Sequence, residues 1–351
     1  MLNKSGSPYK YNRILLIFIF LLPAQIYWYR NKTFFDYFFN YYIDNFDKIA
    51  NTRLFLLSYI NFSIGDIIYA IIIFLIIYQL WIKSIFYLTH KKVFLFEFLS
   101  FASIAFFFFQ ISWGLNYKKE GLSAKIKNNY DQIELEKTVN YLINKSNELN
   151  FKLTNNDSLK VNFPFNKKQA KLYFNNSGVY FCVKSSFFTE LLSYMGFSGY
   201  INPFTLEAHV NENIPMLSYI VTIAHEQSHQ KGIAAENEAS YFAYKRTTTH
   251  KNDYIQYAGY VFALRHCLNT LLLSDSLKGK DFSNKINTGI KKNIAELNQF
   301  WKKYNNPFEF LFTYSYDKFL KLNGQKSGVS SYNEVVALII FDINNQMNKL
   351  K

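Results

Sequence analysis

The chain has 351 residues, 50% of them hydrophobic and 20% aromatic, with a formal charge of +14. That length suits two ordinary domains, and the apolar content exceeds that of a typical soluble one. No basic helix or reader motif accompanies the charge, which sets nucleic-acid binding aside and leaves anionic lipid as the natural partner of the Lys and Arg residues.

The first feature in chain order is a basic N-terminus (Lys4, Lys10, Arg13) followed by an apolar run from Ile14 to Tyr29. With its flanks this run reaches the ~17-residue lower limit of a transmembrane helix. Bulky Ile26, Tyr27 and Trp28 stand where a signal-peptide cleavage site would need small residues, so the run reads as an uncleaved anchor. Two further spans are expected at Ile67–Ile82 and Val93–Leu115, with no charge at their centres. Trp28, Tyr29, Trp81 and Trp113 fall near span ends, where amphipathic rings prefer the interface. Glu97 lies about one turn inside the third span and is expected to snorkel towards Lys91 and Lys92.

Loop charge sets the orientation. The N-terminus and the segment carrying Lys83, His90, Lys91 and Lys92 are expected in the cytoplasm. The loop from Arg30 to Asp66 is mixed in charge and belongs outside; its aromatic stretch at 33–62 suits either the membrane surface or a cover for the active site. Residues 1–115 thus read as a membrane anchor with three transmembrane helices, and 116–351 as an extracytoplasmic domain, periplasmic in a bacterium.

The polar domain is expected to be mainly α (α+β), with a small sheet. Ile133, Leu135, Val139, Leu142 and Ile143 recur at helical spacing within 131–150. Residues 154–177, rich in Asn and Lys, read as loop with short extended pieces; Val179–Val183 reads as a strand, and Ser186–Tyr194 as a short helix ending near Gly196. Asn202-Pro203-Phe204 marks a turn, and helices are expected at about 215–231, 236–248, 253–274, 283–304, 308–322 and 332–348. Cys182 and Cys267 are too few for a disulfide framework, and a single bridge between them is left open.

The chemistry lies in His225-Glu226-x-x-His229. Residues four apart on a helix share a face, so both imidazoles can reach one Zn²⁺ ion. Glu226, beside the first imidazole, is placed to take a proton from water and pass it to a leaving amine. Asn213 is expected to cap this helix, Pro215 to occupy its first turn, and Gly232 to stop it. Glu236, starting the next helix, is the choice for a third metal ligand, with Ser240 one turn on as support. Glu238 is a second candidate; Glu207 and His209 are others. His250 and His266 read as structural, and an i,i+4 His pair that binds no metal is the bland alternative for the motif itself. Tyr200, Tyr241 and Tyr332 are possible oxyanion donors.

Several long blocks resemble a bacterial family catalogued as domain of unknown function 3810: WGLNY at Trp113–Tyr117, GYINPFTLEAHVN at Gly199–Asn211, AHEQSHQKGIAAENEASYFA at Ala224–Ala243, and NGQKSGVSSYNEVV at Asn323–Val336. The resemblance extends over nearly the whole chain. It implies a zincin-like metallopeptidase domain with its HExxH zinc site outside the membrane. Membrane zincins of the gluzincin type carry the third ligand in an E-x-x-A-D pattern, which Glu236 to Ser240 matches except at Ser240. The short spacing from His229 to Glu236, with Gly232 in register, resembles the metzincin pattern HExxHxxGxxH instead.

The function expected from these residues is a membrane-anchored zinc metallopeptidase acting on a peptide or protein. A non-enzymatic envelope protein with a structural zinc or a partner-binding domain is the alternative, and hydrolysis of a non-peptide cell-wall amide a third.

Overall fold

The protein is mostly helical with one three-stranded sheet, in a computed structural model that describes residues 26–27, 36–122, 130–174, 181–325, 328 and 331–349. The N-terminal part comprises α1 (Asp36–Ser58), α2 (Ile64–Ile82), α3 (Ser84–Thr89) and α4 (Lys91–Ser112), then a 3₁₀ turn at Gly114–Lys118. α2 and α4 are long and apolar enough to cross a membrane, since 19 and 22 residues at about 1.5 Å each match a hydrocarbon layer of ~30 Å. Only 11% and 17% of their most apolar windows are buried by protein, whereas the core helix of a soluble domain would be mostly covered. The first expected span, from Ile14 to Tyr29, lies outside the described residues except for Ile26 and Tyr27, so two such helices stand among the described residues, not three.

α2 begins earlier than its apolar run because the Ser63 hydroxyl caps it, accepting the Asp66 N–H at 2.8 Å. Glu97 does not snorkel to Lys91 or Lys92. It binds Lys83 Nζ at 3.1 Å, Gln79 Nε2 at 2.9 Å and the Tyr87 hydroxyl, tying α4 to the far end of α2. An acidic group on an apolar helix is thus held by donors across the gap.

The stretch 30–66, expected as a loop, is largely helix α1. Tyr42, Phe46, Ala50 and Leu54 recur every fourth residue and pack on Trp113, Cys182, Leu206 and Ala234. That buried stripe accounts for part of the aromatic content that suggested a membrane-surface or covering loop.

The remaining elements are α5 (Gln132–Thr154), α6 (Lys167–Tyr173), β1 (Val183–Ser185), α7 (Thr189–Tyr194), β2 (Gly199–Ile201), β3 (Ala208–Val210), α8 (Met216–Gln230), α9 (Glu236–Thr248), α10 (Asp253–Ser274), α11 (Ser276–Asn284), α12 (Thr288–Tyr304), α13 (Glu309–Leu322) and α14 (Ser331–Lys349). α9 and α10 coincide with the expected helices. The helix expected at 283–304 is broken, because Asn147 Oδ1 takes the Asn287 N–H at 3.0 Å and the Asp157 carbonyl takes the Gly289 N–H at 2.8 Å. Within the expected loop 154–177, Asn166 and Gln169 form a capping box that starts α6. The expected strand at 179–183 survives only at Val183, where β1 begins; 179 and 180 lie outside the described residues.

Strand order is β1-β3-β2, with β3 parallel to β1 and antiparallel to β2. β3 is fully buried and β2 is an edge. One core joins Leu135, Val139 and Leu142 of α5, Ile220 and Ile223 of α8, Val261 and Leu264 of α10, and Val335 and Ile339 of α14. Each such side chain contributes roughly 1.5–3 kcal/mol by leaving water. Cys182 and Cys267 are both buried and free, so the bridge left open does not form.

Candidate metal centre

α8 carries His225, Glu226 and His229. Pro215 itself occupies the N-cap position, with no side-chain cap. The Asn213 amide, expected there, instead donates to Ser193 Oγ at 3.3 Å and to the Glu190 carboxylate. At the other end Gly232 has φ +74°, its N–H reaches the His229 carbonyl, and the Ile233 N–H reaches the Ser228 carbonyl at 3.2 Å. This reversal needs the left-handed backbone that glycine adopts freely. It turns the chain back so that Glu236, the first residue of α9, faces α8.

His225 Nε2 and His229 Nε2 lie 3.1 Å apart. Glu236 Oε2 is 3.1 Å from the first and 3.5 Å from the second. A tetrahedral ion with bonds of 2.0–2.1 Å would space its ligands about 3.3 Å apart. The outer ring nitrogens are held: His229 Nδ1 is 2.7 Å from the Ile233 carbonyl, and His225 Nδ1 is 3.2 Å from Ser240 Oγ. Because a carbonyl only accepts, His229 carries its proton on Nδ1 when neutral and turns a lone pair inwards. Two imidazoles and a carboxylate converging in this way have the donor set and spacing that would fit Zn²⁺, and they are the three side chains that the sequence suggested would come together.

Glu236 Oε1 accepts the Tyr316 hydroxyl at 2.6 Å. Tyr316 was missed in the sequence: it stands 80 residues away on α13 with no local motif, and only the fold brings it in. Trp113, just past α4, donates its indole N–H to the His229 carbonyl at 3.2 Å.

Glu226 is buried, and its Oε2 has no hydrogen-bond partner among the described residues. Burial lifts its pKa to about 8, with His229 opposing and the Glu236 charge adding to the rise. In the metal-free site, burial works against a charged His229, yet the Glu236 carboxylate and then Glu226 carry its pKa to about 9. Burial holds His225 low, and Glu236, despite its burial, is held well below the usual carboxylate range by the two imidazoles. An orphaned buried carboxylate beside a cluster of lone pairs and charge is what a cation and its water would complete.

The alternative ligands are occupied elsewhere. Glu238 is buried and outside the triad, its carboxyl packed against the backbone of Gly121. Glu207 accepts the Ile64 N–H at 3.1 Å, the Gly65 N–H, the Thr205 hydroxyl at 3.0 Å and Lys184 Nζ at 2.6 Å. His209 Nε2 is 2.6 Å from Ser63 Oγ. Both residues therefore clasp the start of α2. Of the tyrosines, Tyr200 gives its hydroxyl to Asp66 and Tyr241 lies 3.4 Å from Asp342. The Tyr332 side chain lies outside the described residues. His250 is placed structurally, 3.3 Å from the Tyr173 carbonyl. His266 does border the site, with its pKa lowered to about 4 by burial and by Arg265.

The triad opens into a cavity of about 800 Å³. Its wall includes β2, Thr222, Tyr316 and Phe319, together with Tyr69 of α2 and Ala105, Phe106 and Phe109 of α4; no α1 residue borders it among the described residues. β2 is the strand edge beside the site among the described residues. Gly199 allows that edge to approach: a Cβ there would stand 2.8 Å from Glu226 Oε1 and 2.6 Å from the His209 carbonyl oxygen.

No curated protein and no solved structure matches the chain. A family model described as a protein of unknown function, DUF3810, matches residues 41–340, and the chain belongs to that family.

Proposed function

We propose that the protein is a membrane-anchored zinc metallopeptidase of zincin type. The observation that carries this reading is the convergence of His225, His229 and Glu236 next to the buried, unpartnered Glu226 oxygen, inside a cavity bordered by a strand edge. His225, His229 and Glu236 would hold the zinc ion, which when bound would supply Lewis acidity to a water and to a substrate carbonyl. Glu226 accepts the proton of that water and delivers it to the leaving amine. The β2 main chain offers an extended peptide a partner strand, setting its carbonyl near Glu226. Ser240, the Ile233 carbonyl and Tyr316 orient the three ligands.

The same reading places the domain outside the cytoplasm of a bacterial cell. Lys83, Lys91 and Lys92 cluster at the ends of α2 and α4 remote from the triad, where the positive-inside rule puts the cytoplasm. The deciding experiment compares zinc content and cleavage of a mixed peptide library for wild type, Glu226→Ala and Glu236→Ala. Zinc in wild type and Glu226→Ala, metal loss in Glu236→Ala and cleavage by wild type alone are expected. Zinc in all three without cleavage would replace the peptidase by a structural or partner-binding zinc protein.

A further inference from the structure

We infer that the substrate is itself a membrane-anchored polypeptide, cut close to where its chain leaves the bilayer, and that its apolar juxtamembrane segment lies in the cavity against α2 and α4. The inference rests on the peptidase reading and adds the class of substrate.

The cavity is continuous with the two apolar helices. Tyr69 lies roughly 8 Å along α2 from its start, and Ala105 roughly 10 Å back from the end of α4, at ~1.5 Å per residue. The space that reaches His225 and Glu226 therefore extends alongside surfaces that face hydrocarbon. Aromatic rings pave the way between the two. Tyr69 stacks on Tyr200 at 6.5 Å, while Phe109 meets Phe319 edge-on at 5.7 Å, and Phe319 stacks on Tyr316 at 6.2 Å. Tyr316 touches Glu236, so the apolar path ends at the triad.

α13, which carries Tyr316 and Phe319 towards the cavity, also bears an apolar exterior. Phe310, Leu311, Tyr314 and Leu322 are exposed on it. An exposed apolar helix beside the end of a membrane helix suits the interfacial layer of a bilayer. The polar chemistry is thus located where lipid gives way to water.

Two features favour a polypeptide over a lipid. The edge of β2 next to Glu226 can pair with an extended main chain, which a lipid lacks. In addition, no Lys or Arg borders the cavity among the described residues, and Glu309 does, so an anionic headgroup would find no lysine or arginine there.

The test uses the full chain with zinc in lipid nanodiscs. A randomised peptide cassette is offered either free in solution or fused to a leucine-alanine transmembrane segment. The anchored cassette should be cleaved about tenfold faster, the scale of one buried apolar side chain. Phe106→Gln should erase that preference while zinc content persists. Equal cleavage of both forms would overturn the inference and leave the peptidase standing. If neither form is cleaved, a photoreactive phenylalanine analogue in place of Phe106 decides. Cross-linking to the anchored cassette would uphold the docking although the peptidase reading falls; cross-linking to lipid alone, or equally to the free cassette, would overturn it.

Discussion

The indole N–H of Trp113 reaches the carbonyl oxygen of His229 at 3.2 Å, so the chain leaving α4 is bonded to the end of the helix that carries the motif. The ring also meets the His229 imidazole edge-on, with centroids 6.0 Å apart. Trp113→Phe keeps most of the packing and removes the donor. We expect a loss of about 1 kcal/mol in stability and weaker zinc retention, read by thermal unfolding and by competition with a chelator. Unchanged values for both would show that the contact does not hold His229.

Ser240→Ala and Tyr316→Phe each remove one outer contact to a ligand, at His225 and Glu236 respectively. Zinc affinity should fall about 10- to 100-fold in each, the usual effect of losing such a partner. Fluorescent-chelator titration measures it. Affinities equal to wild type would argue that these contacts do not position the ligands.

Zinc uptake should expel a proton. In the metal-free protein the His229 pKa is raised from 6.5 to about 9. The group is raised, so its paired charge stabilises the metal-free fold fully below pH 6.5, and that contribution disappears as pH rises through about 9. Zinc requires the neutral ring, so between these limits apparent affinity should climb about tenfold per pH unit. Calorimetry in buffers of different ionisation enthalpy should report the released proton. A pH-independent affinity across that window would remove His229 from the ligand set.

Gly199→Ala is expected to abolish most turnover while leaving zinc content intact. The added methyl group would stand 2.8 Å from Glu226 Oε1 and 2.6 Å from the His209 carbonyl oxygen, so either the carboxylate or the strand must move. Metal analysis beside a peptide assay separates this effect from loss of the site. Full activity would mean that the strand shifts without disturbing Glu226.

Lys184 Nζ and Glu207 Oε1 lie 2.6 Å apart with both side chains buried. Lys184→Met leaves the carboxylate without its cation, which should cost about 3–5 kcal/mol in thermal unfolding. Burial opposes the charge of Glu207, but Lys184 and the Gly65 and Ile64 N–H groups hold its pKa below the ordinary 4.5. This is a lowered acid: its contribution is present above 4.5 and lost as pH falls through the lower folded value. Wild type should therefore weaken on acidification below 4.5 more steeply than Lys184→Met; identical acid profiles would refute the pairing.

The helices and the triad were legible because their signals are local. α10 starts on its own local cap, where the Asn252 side chain accepts the Tyr254 and Ile255 N–H groups, while the i,i+4 imidazoles, the Gly232 stop and Glu236 sit within one short segment. The contributions of Tyr316, Trp113 and β2 arise from tertiary approach. Their partners lie far along the chain, so no spacing announces them. Glu207 and His209 stood as alternatives to Glu236 because a polar pair near a metal motif looks the same in sequence whether it binds an ion or the first turn of a helix. The helix α1 was hidden by its mixed charge, since its four-residue stripe covers only one face.

Glu207 grips the first backbone N–H groups of α2, and strand β3, which begins at the next residue, is paired to β2, which approaches Glu226 at Gly199. α2 cannot tilt without straining those bonds or dragging the sheet along. If α2 spans the bilayer, membrane thickness becomes a mechanical input to the site: a thinner or thicker bilayer pulls on a lever whose short arm ends beside Glu226.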